Sequence, residues 1–436
     1  AKGKTIEKYL GTDFKVLATY GHVRDLVSKT GAVIPDQGFE MNYEISEDSK
    51  KQLTRITKAV EQARTLYLAT DLDREGEAIA WHVQEILKER GLLADKEVHR
   101  VVFNAVTKRA VQDSIKHPKV VSDSLVNAYK ARRALDHLFG FNLSPLMWEK
   151  IAPKLSAGRV QSPALRLIVE REDQISAFEP QEYWTIGAIA KHKDEVFKAR
   201  LSKFGGEKTK QFYFTNEKAV REVEGAIKAS ADGILTVGKV EKKQRQRKPT
   251  APFITSTLQQ EASRKLGFSA RQTMMTAQRL YEGIDVGDGS VGLITYMRTD
   301  SVTLAGEAIT EIRSLVQDRY GNENLPHEPR PYQTKTQNAQ EAHEAVRPTS
   351  VSRTPAELKS RLDSDQHRLY ELIWKRTVAS QMSNAIFDTV GLDIFPGENL
   401  EGDTSFRATG QVLVLSLIHI SEPTRPRLIS YAVFCL

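Results

Sequence analysis

Two short stretches of this chain carry residues whose types and spacing could do chemistry together. In TDLDREGEAIAWH, Asp71, Asp73 and Glu75 stand at every second position behind a short apolar run. In extended backbone, alternate side chains share one face, so three carboxylates would gather there and repel. Oxygen-only ligands of this kind suit Mg²⁺, which keeps several waters and takes few protein carboxylates. The plainer alternative is a solvated acidic turn, with Glu75 and Glu77 stabilised at a helix N-terminus. In GLITYMRTDS, alternation puts Ile294, Tyr296, Arg298 and Asp300 on one side and Leu293, Thr295 and Met297 on the other. A phenol ionises near pH 10, so Tyr296 needs a nearby cation to act as a nucleophile, and Arg298 is one. Arginine is also a natural clamp for a phosphate under attack. A core tyrosine beside a snorkelling arginine is the ordinary alternative.

A third feature lies in SLVNAYKARRALDHLFGF. Helical spacing gathers Leu125, Ala128, Tyr129, Leu135 and Phe139 into one arc, with Arg132 and Asp136 in its middle. Charges there are costly unless paired or used. A structural ion pair and a phosphate-binding arginine oriented by Asp136 both fit.

The elements that must hold these residues follow from periodicity. An apolar strand ending at the acids, followed by Ile79, Val83, Ile86 and Leu87 at helical spacing, is the grammar of an α/β domain, taken as 1–120. Residues 122–178 read as helical, with Ser162 capping a helix and Pro163 in its first turn. Residues 183–240 read as β-rich. The stretch 239–252 carries six Lys or Arg against one Glu, a solvated hinge or entry strand, with DNA contact a secondary role. Helices then dominate to about 383, and 385–414 returns to β-like alternation.

The formal net charge of +7 suits a polyanionic partner, although many basic enzymes never meet nucleic acid. Length predicts roughly three domains. No apolar run reaches the ~18 residues of a membrane helix, and the start lacks the order of a secretory signal. The single cysteine, Cys435, excludes a disulfide framework or zinc site within the chain. A cytoplasmic protein with no membrane contact is expected.

These blocks together resemble the bacterial topoisomerase I branch of the type IA DNA topoisomerases. TDLDREGEAIAWH resembles the Toprim metal motif of that family, and GLITYMRTDS its active-tyrosine signature. LSAGRVQSPALRLIVERE, APFITSTLQQEASRKLGF and QEAHEAVRPT are similar to further family blocks, in the family's order, and the likeness runs to about residue 414. YMRTDS is closer to topoisomerase I than to the decatenating topoisomerase III. The resemblance implies an α/β Toprim domain followed by mainly helical and β-rich domains, an incomplete type IA torus. Its parts would be 1–120 (Toprim), 121–180 (helical, DNA-binding), 181–250 (β-rich arch), 251–383 (catalytic tyrosine) and 384–414 (returning arch). It implies that Tyr296 forms a 5′-phosphotyrosine link with single-stranded DNA, that Arg298 stabilises the transition state, and that Asp71, Asp73 and Glu75 hold Mg²⁺. The outcome would be ATP-independent relaxation of negatively supercoiled DNA by a monomer associated with the nucleoid. Lys2, Arg132, Asp136, Arg159, Gln161 and His343 fall on motif positions expected along the DNA path.

The chain departs from the family at both ends. The family's first strand, ending in a glutamate, would precede AKGKTIEKYLG. Residues 415–436 fit no family block and are expected to be foreign, and disordered or misplaced. Two other functions are weighed beside strand cleavage: a fragment that grips single strands without turnover, and a P-loop ATPase using Gly3-Lys4-Thr5.

Overall fold

The structure, a computed structural model, describes residues 2–287, 289–334 and 344–415. The chain divides into two compact units. The first comprises Ala1–Asp173, Ala251–Asp318 and Glu328–Ser380; the second comprises Gln174–Thr250, Arg319–His327 and the chain from Gln381.

In the first unit, the apolar run Thr65–Leu68 is a strand, and Glu97–Arg100 pairs with it in parallel. Parallel neighbours require a crossover, supplied by the helix Arg74–Glu89. Leu53, Ile56 and Val60 line one side of the helix Glu47–Gln62. They close with Ala80, Val83, Ile86 and Leu87 over Leu68 in one apolar core. Ile79, expected in that row, is only half-buried, and Ala80 takes its place.

The 28-residue helix Asp123–Lys150 is capped by Ser122, whose Oγ accepts from Leu125 N. Its buried residues are Val126, Ala134, His137 and Ser144, so the arc expected to face inward is not the buried one. Leu135 is exposed, and so is Arg132. The next helix, Gln161–Ser176, begins before the expected cap. Ser162 N already donates to Gly158 O, so Ser162 sits inside the first turn. Every residue of this helix is at least partly exposed.

Helices Thr255–Leu266, Ala270–Glu282 and Ser364–Ser380 pack against one another. The tyrosine segment runs beside them. It is extended, as its alternation predicts, but is not a regular strand and is buried on both sides. Its backbone bonds go to several separate segments, so no ladder forms.

The second unit is an antiparallel sheet in the order Leu235–Arg247, Ala385–Pro396, Ser405–Leu415, Glu195–Phe204, Gly187–His192. Most of the basic stretch 239–252 is therefore a sheet-edge strand, whose exposed lysines protect it from pairing with another chain. Its bulge falls at Gly238, where a Cβ would lie 2.2 Å from Leu400 O. The helix Glu217–Ala231, capped by Asn216, interrupts the region read as β-rich. Val220 and Ile227 of that helix bury against Leu392, Ile394 and Phe406 of the sheet. Among the described residues, no helix is long and apolar enough to cross a membrane.

Candidate active site

The acidic loop begins where the strand Thr65–Leu68 stops, and one buried cation shapes it. Arg100, 1% exposed, reaches across from the neighbouring strand. Its Nη1 donates to the carbonyls of Leu68 and Thr70 at 3.0 Å and to that of Val101 at 2.6 Å, and its Nη2 donates to Asp71 O at 2.6 Å. Its Nε donates to Glu77 Oε2 at 2.8 Å, and the other oxygen of Glu77 accepts from Ser122 N at 2.7 Å. A buried ion pair is tolerable only when its remaining donors and acceptors are filled, and here they fix the backbone of the loop.

The helix Arg74–Glu89 then starts on Asp73, whose Oδ1 accepts from Gly76 N at 2.8 Å. Gly76 is the close-approach position. A Cβ there would sit 2.1 Å from Asp71 O, so the loop can fold onto the helix only over a glycine. The three acids therefore do not alternate along one strand face as expected. Asp71 lies in the loop, Asp73 caps, and Glu75 stands in the first helical turn. They meet because the chain turns, and the expectation failed because an aspartate one residue before a helix is a better cap than a strand residue.

Tyr296 is held against this loop from its own segment. Gly292 N donates to Val106 O at 2.9 Å, and Tyr296 N donates to Asn104 O at 2.7 Å. Gly292 is a second close approach, since a Cβ would lie 2.6 Å from Tyr281 O. The Tyr296 hydroxyl donates to Asp73 Oδ2 at 2.6 Å, the carboxylate oxygen not used for capping. Arg298 Nη1 lies 3.5 Å from the same oxygen and 3.1 Å from Glu75 Oε2. Lys2, the first residue of the helix Lys2–Leu10, forms an ion pair with Asp71, and its ammonium lies over the rings of Phe103 and Tyr281.

The charges explain the proton's position. Burial, then the negative fields of Asp73 and Asp71, push the Tyr296 phenol far above its ordinary value, and Arg298 offsets only part of this. The hydroxyl therefore stays protonated and donates to Asp73. The hydrogen bond from His22 is the largest cause holding Glu75 down to about 2, with Arg298 adding to it against the effect of burial. Tyr296 is 3% exposed, so its hydroxyl is covered in this arrangement.

Of the residues singled out from sequence, Lys2, Asp71, Asp73, Glu75, Tyr296 and Arg298 share this cluster. Asp136 is partnered not by Arg132 but by Arg159, bidentate at 2.7 and 3.3 Å. The neighbouring Arg133 pairs instead with Asp25. Helical spacing alone could not distinguish a partner four residues away from one on another element. Gln161 Nε2 donates to Ser156 O at 3.0 Å. His343 lies outside the described residues. Sequence reasoning missed Arg100, His22, Tyr281 and Glu344. Tyr281 is fully buried, with its ring edge-on to Tyr296 at 5.2 Å and its hydroxyl 3.5 Å from Asp71 Oδ1. Glu344 was one residue from a position that was chosen.

The acids offer only oxygen donors, which fit a hard divalent cation. Among the described residues, no three acidic or histidine side chains close into a ready cage.

Residues 1–106 match the model of the Toprim domain, and residues 120–416 match that of a DNA topoisomerase family. The chain belongs to the bacterial type IA DNA topoisomerase family. It is 55% identical over 416 residues to DNA topoisomerase 1 of Xylella fastidiosa (strain Temecula1), covering 95% of this chain and 51% of that protein. Against DNA topoisomerase 1 of Rickettsia bellii the identity is 51%, over 92% and 50% of the two chains. The structure of full-length topoisomerase I from Thermotoga maritima superimposes with a TM-score of 0.80 at 34% identity, covering 97% of this chain and 66% of that one. The chain thus spans about half the length of the curated relatives it matches. The Toprim match over the first 106 residues displaces the P-loop alternative.

Proposed function

We propose that this chain carries the strand-cleaving and rejoining centre of a type IA DNA topoisomerase. The observation that carries the reading is the Tyr296 hydroxyl at 2.6 Å from Asp73 Oδ2, with Arg298 spanning Asp73 and Glu75. The substrate is a single-stranded segment of negatively supercoiled DNA. Tyr296 Oη attacks the phosphorus and the bond to the 3′ oxygen breaks, leaving a 5′-phosphotyrosine link and a 3′ oxygen that takes a proton from water to become a hydroxyl. Asp73 is the acceptor in place for the phenolic proton. Arg298 supplies charge to the non-bridging oxygens as negative charge develops there. Reversal by the 3′ hydroxyl rejoins the strand, and passage of the other strand between the two steps relaxes the DNA without ATP. Mg²⁺, held by Asp71, Asp73 and Glu75, would add positive charge at the phosphate when bound.

On this reading Lys2, Arg132, Asp136, Arg159, Gln161 and His343 guide the DNA backbone. Residues 1–120 form the metal-binding part and 121–180 the helical grip. The tyrosine lies in 251–383, and the β-rich segments are 181–250 and 384–414. The enzyme works as a monomer in the cytoplasm, at the nucleoid.

Relaxation, nicking and retention of DNA by the chain and its Tyr296→Phe variant test the proposal. Covalent DNA trapped by denaturant should disappear in the variant while retention of a single-stranded oligonucleotide persists. Equal nicking by both proteins would remove Tyr296 from the reaction. Retention without any covalent product in either would favour a binding fragment.

A further inference from the structure

The nucleophile's backbone is gripped on both sides, and both grips lead to one buried carboxylate. Glu344 is 5% exposed. Its Oε2 accepts from Asn104 Nδ2, and the carbonyl of that same Asn104 accepts the Tyr296 N–H at 2.7 Å. Its Oε1 accepts from Arg347 Nε at 2.5 Å and from Ala305 N at 2.9 Å. Arg347 in turn holds the preceding residue, accepting Thr295 N at its carbonyl at 2.9 Å and donating its own N–H to Thr295 Oγ1 at 3.0 Å. The carbonyl of Glu344 accepts from Thr299 Oγ1 at 2.9 Å, just beyond Arg298.

We infer that Glu344 is a positioning residue for the nucleophile: it aligns Asn104 and Arg347 so that the Thr295–Tyr296 backbone is fixed and the phenol is aimed at Asp73. This rests on the proposed cleavage reaction only for its catalytic consequence. The geometric part stands alone. A carboxylate accepting three donors from three segments restricts each more tightly than any one bond would, and charge-assisted bonds are the stronger kind. Near-attack geometry is sensitive to displacements of about 1 Å, which cost on the order of 100-fold in rate. A buried ion pair that merely stabilises the fold is the competing role.

Two readouts on Glu344→Gln separate these roles. The variant keeps the shape but replaces one charged acceptor with an amide. Asn104→Ala removes the same link from the other end and serves if Glu344→Gln folds poorly. Hydrogen exchange over overlapping fragments spanning 293–298 should show the Thr295 and Tyr296 amides exchanging at least about 10-fold faster, with the helix Ser364–Ser380 unchanged. Unaltered exchange at those two amides overturns the inference, as does an equal acceleration throughout the unit. Single-turnover cleavage of a short oligonucleotide should fall about 10- to 100-fold while its Kd stays within about twofold. Unchanged cleavage with loosened amides also overturns it. Failure of the parent chain itself to form a covalent product would defeat the proposed function, and the exchange result would still decide the role of Glu344.

Discussion

The acidic loop and the helical stretch that follows it both present charged residues singled out by spacing, yet the fold treats them oppositely. Around the loop, Asp71, Asp73 and Glu75 are each met by a cation or a hydroxyl, Arg100 secures the backbone beneath them, and Asn104 holds that of Tyr296. Along Asp123–Lys150 and Gln161–Ser176, Arg132 is exposed, as are Trp148, Leu165, Leu167 and Ile168. In the first region these groups satisfy one another around a buried tyrosine, so a change at one leaves its partners short. The second is open surface, and its contribution depends on what settles on it. Perturbations should therefore fall on stability in the first and on binding in the second.

The largest effect is expected at Arg100. Replacing it by Met leaves the Glu77 carboxylate buried without its cation and four backbone carbonyls short of a donor, which costs about 3–5 kcal/mol. Urea unfolding would measure this, and a loss under about 1 kcal/mol would show that the loop does not depend on its buried guanidinium.

A smaller effect should appear with pH. His82, buried in the helix Arg74–Glu89, accepts from Arg24 Nε at 2.7 Å and is held down to about 3, first by burial and then by the charge of Arg24. Its folded value lies below the unfolded value of about 6.5. The unfolded chain therefore binds the extra proton first as pH falls, and stability drops between about pH 6.5 and 3. Between pH 7.5 and 5 the loss from this group is about 2 kcal/mol. His82→Gln keeps an acceptor for Arg24 and should flatten the profile by about that amount; a profile as steep as that of the parent would assign the acid sensitivity elsewhere.

The smallest stability effect is expected at Arg132. Arg132→Ala should leave stability within about 0.5 kcal/mol. It should also weaken DNA binding across sequences and reduce the salt slope by about one. A large stability loss would mean that its surface is not open, and the contrast between the regions would fail.

How far these features were legible in the sequence depends on the range of the interactions. The strand before Asp71, the helix after it and the pairing of Tyr296 with Arg298 follow from local periodicity. Asp73 as a cap was also local, but alternation along an extended chain obscured it. The Arg159–Asp136 pair joins residues on different elements, which spacing along one helix cannot reveal. Arg100 and Glu344 were invisible for the same reason, since a buried charge is recognisable only with its partners in place. The helix Glu217–Ala231 was missed although Asn216 marks its start, because the flanking alternation outweighed a capping signal one residue long.

Incubation of the chain with a single-stranded oligonucleotide and Mg²⁺, followed by denaturation, proteolysis and mass spectrometry, would locate any covalent adduct. A nucleotide mass on the peptide at Tyr296, joined through a 5′ phosphate and lost in Tyr296→Phe, is the expected result. An adduct on Tyr281 or any other residue, or one surviving that substitution, would contradict it.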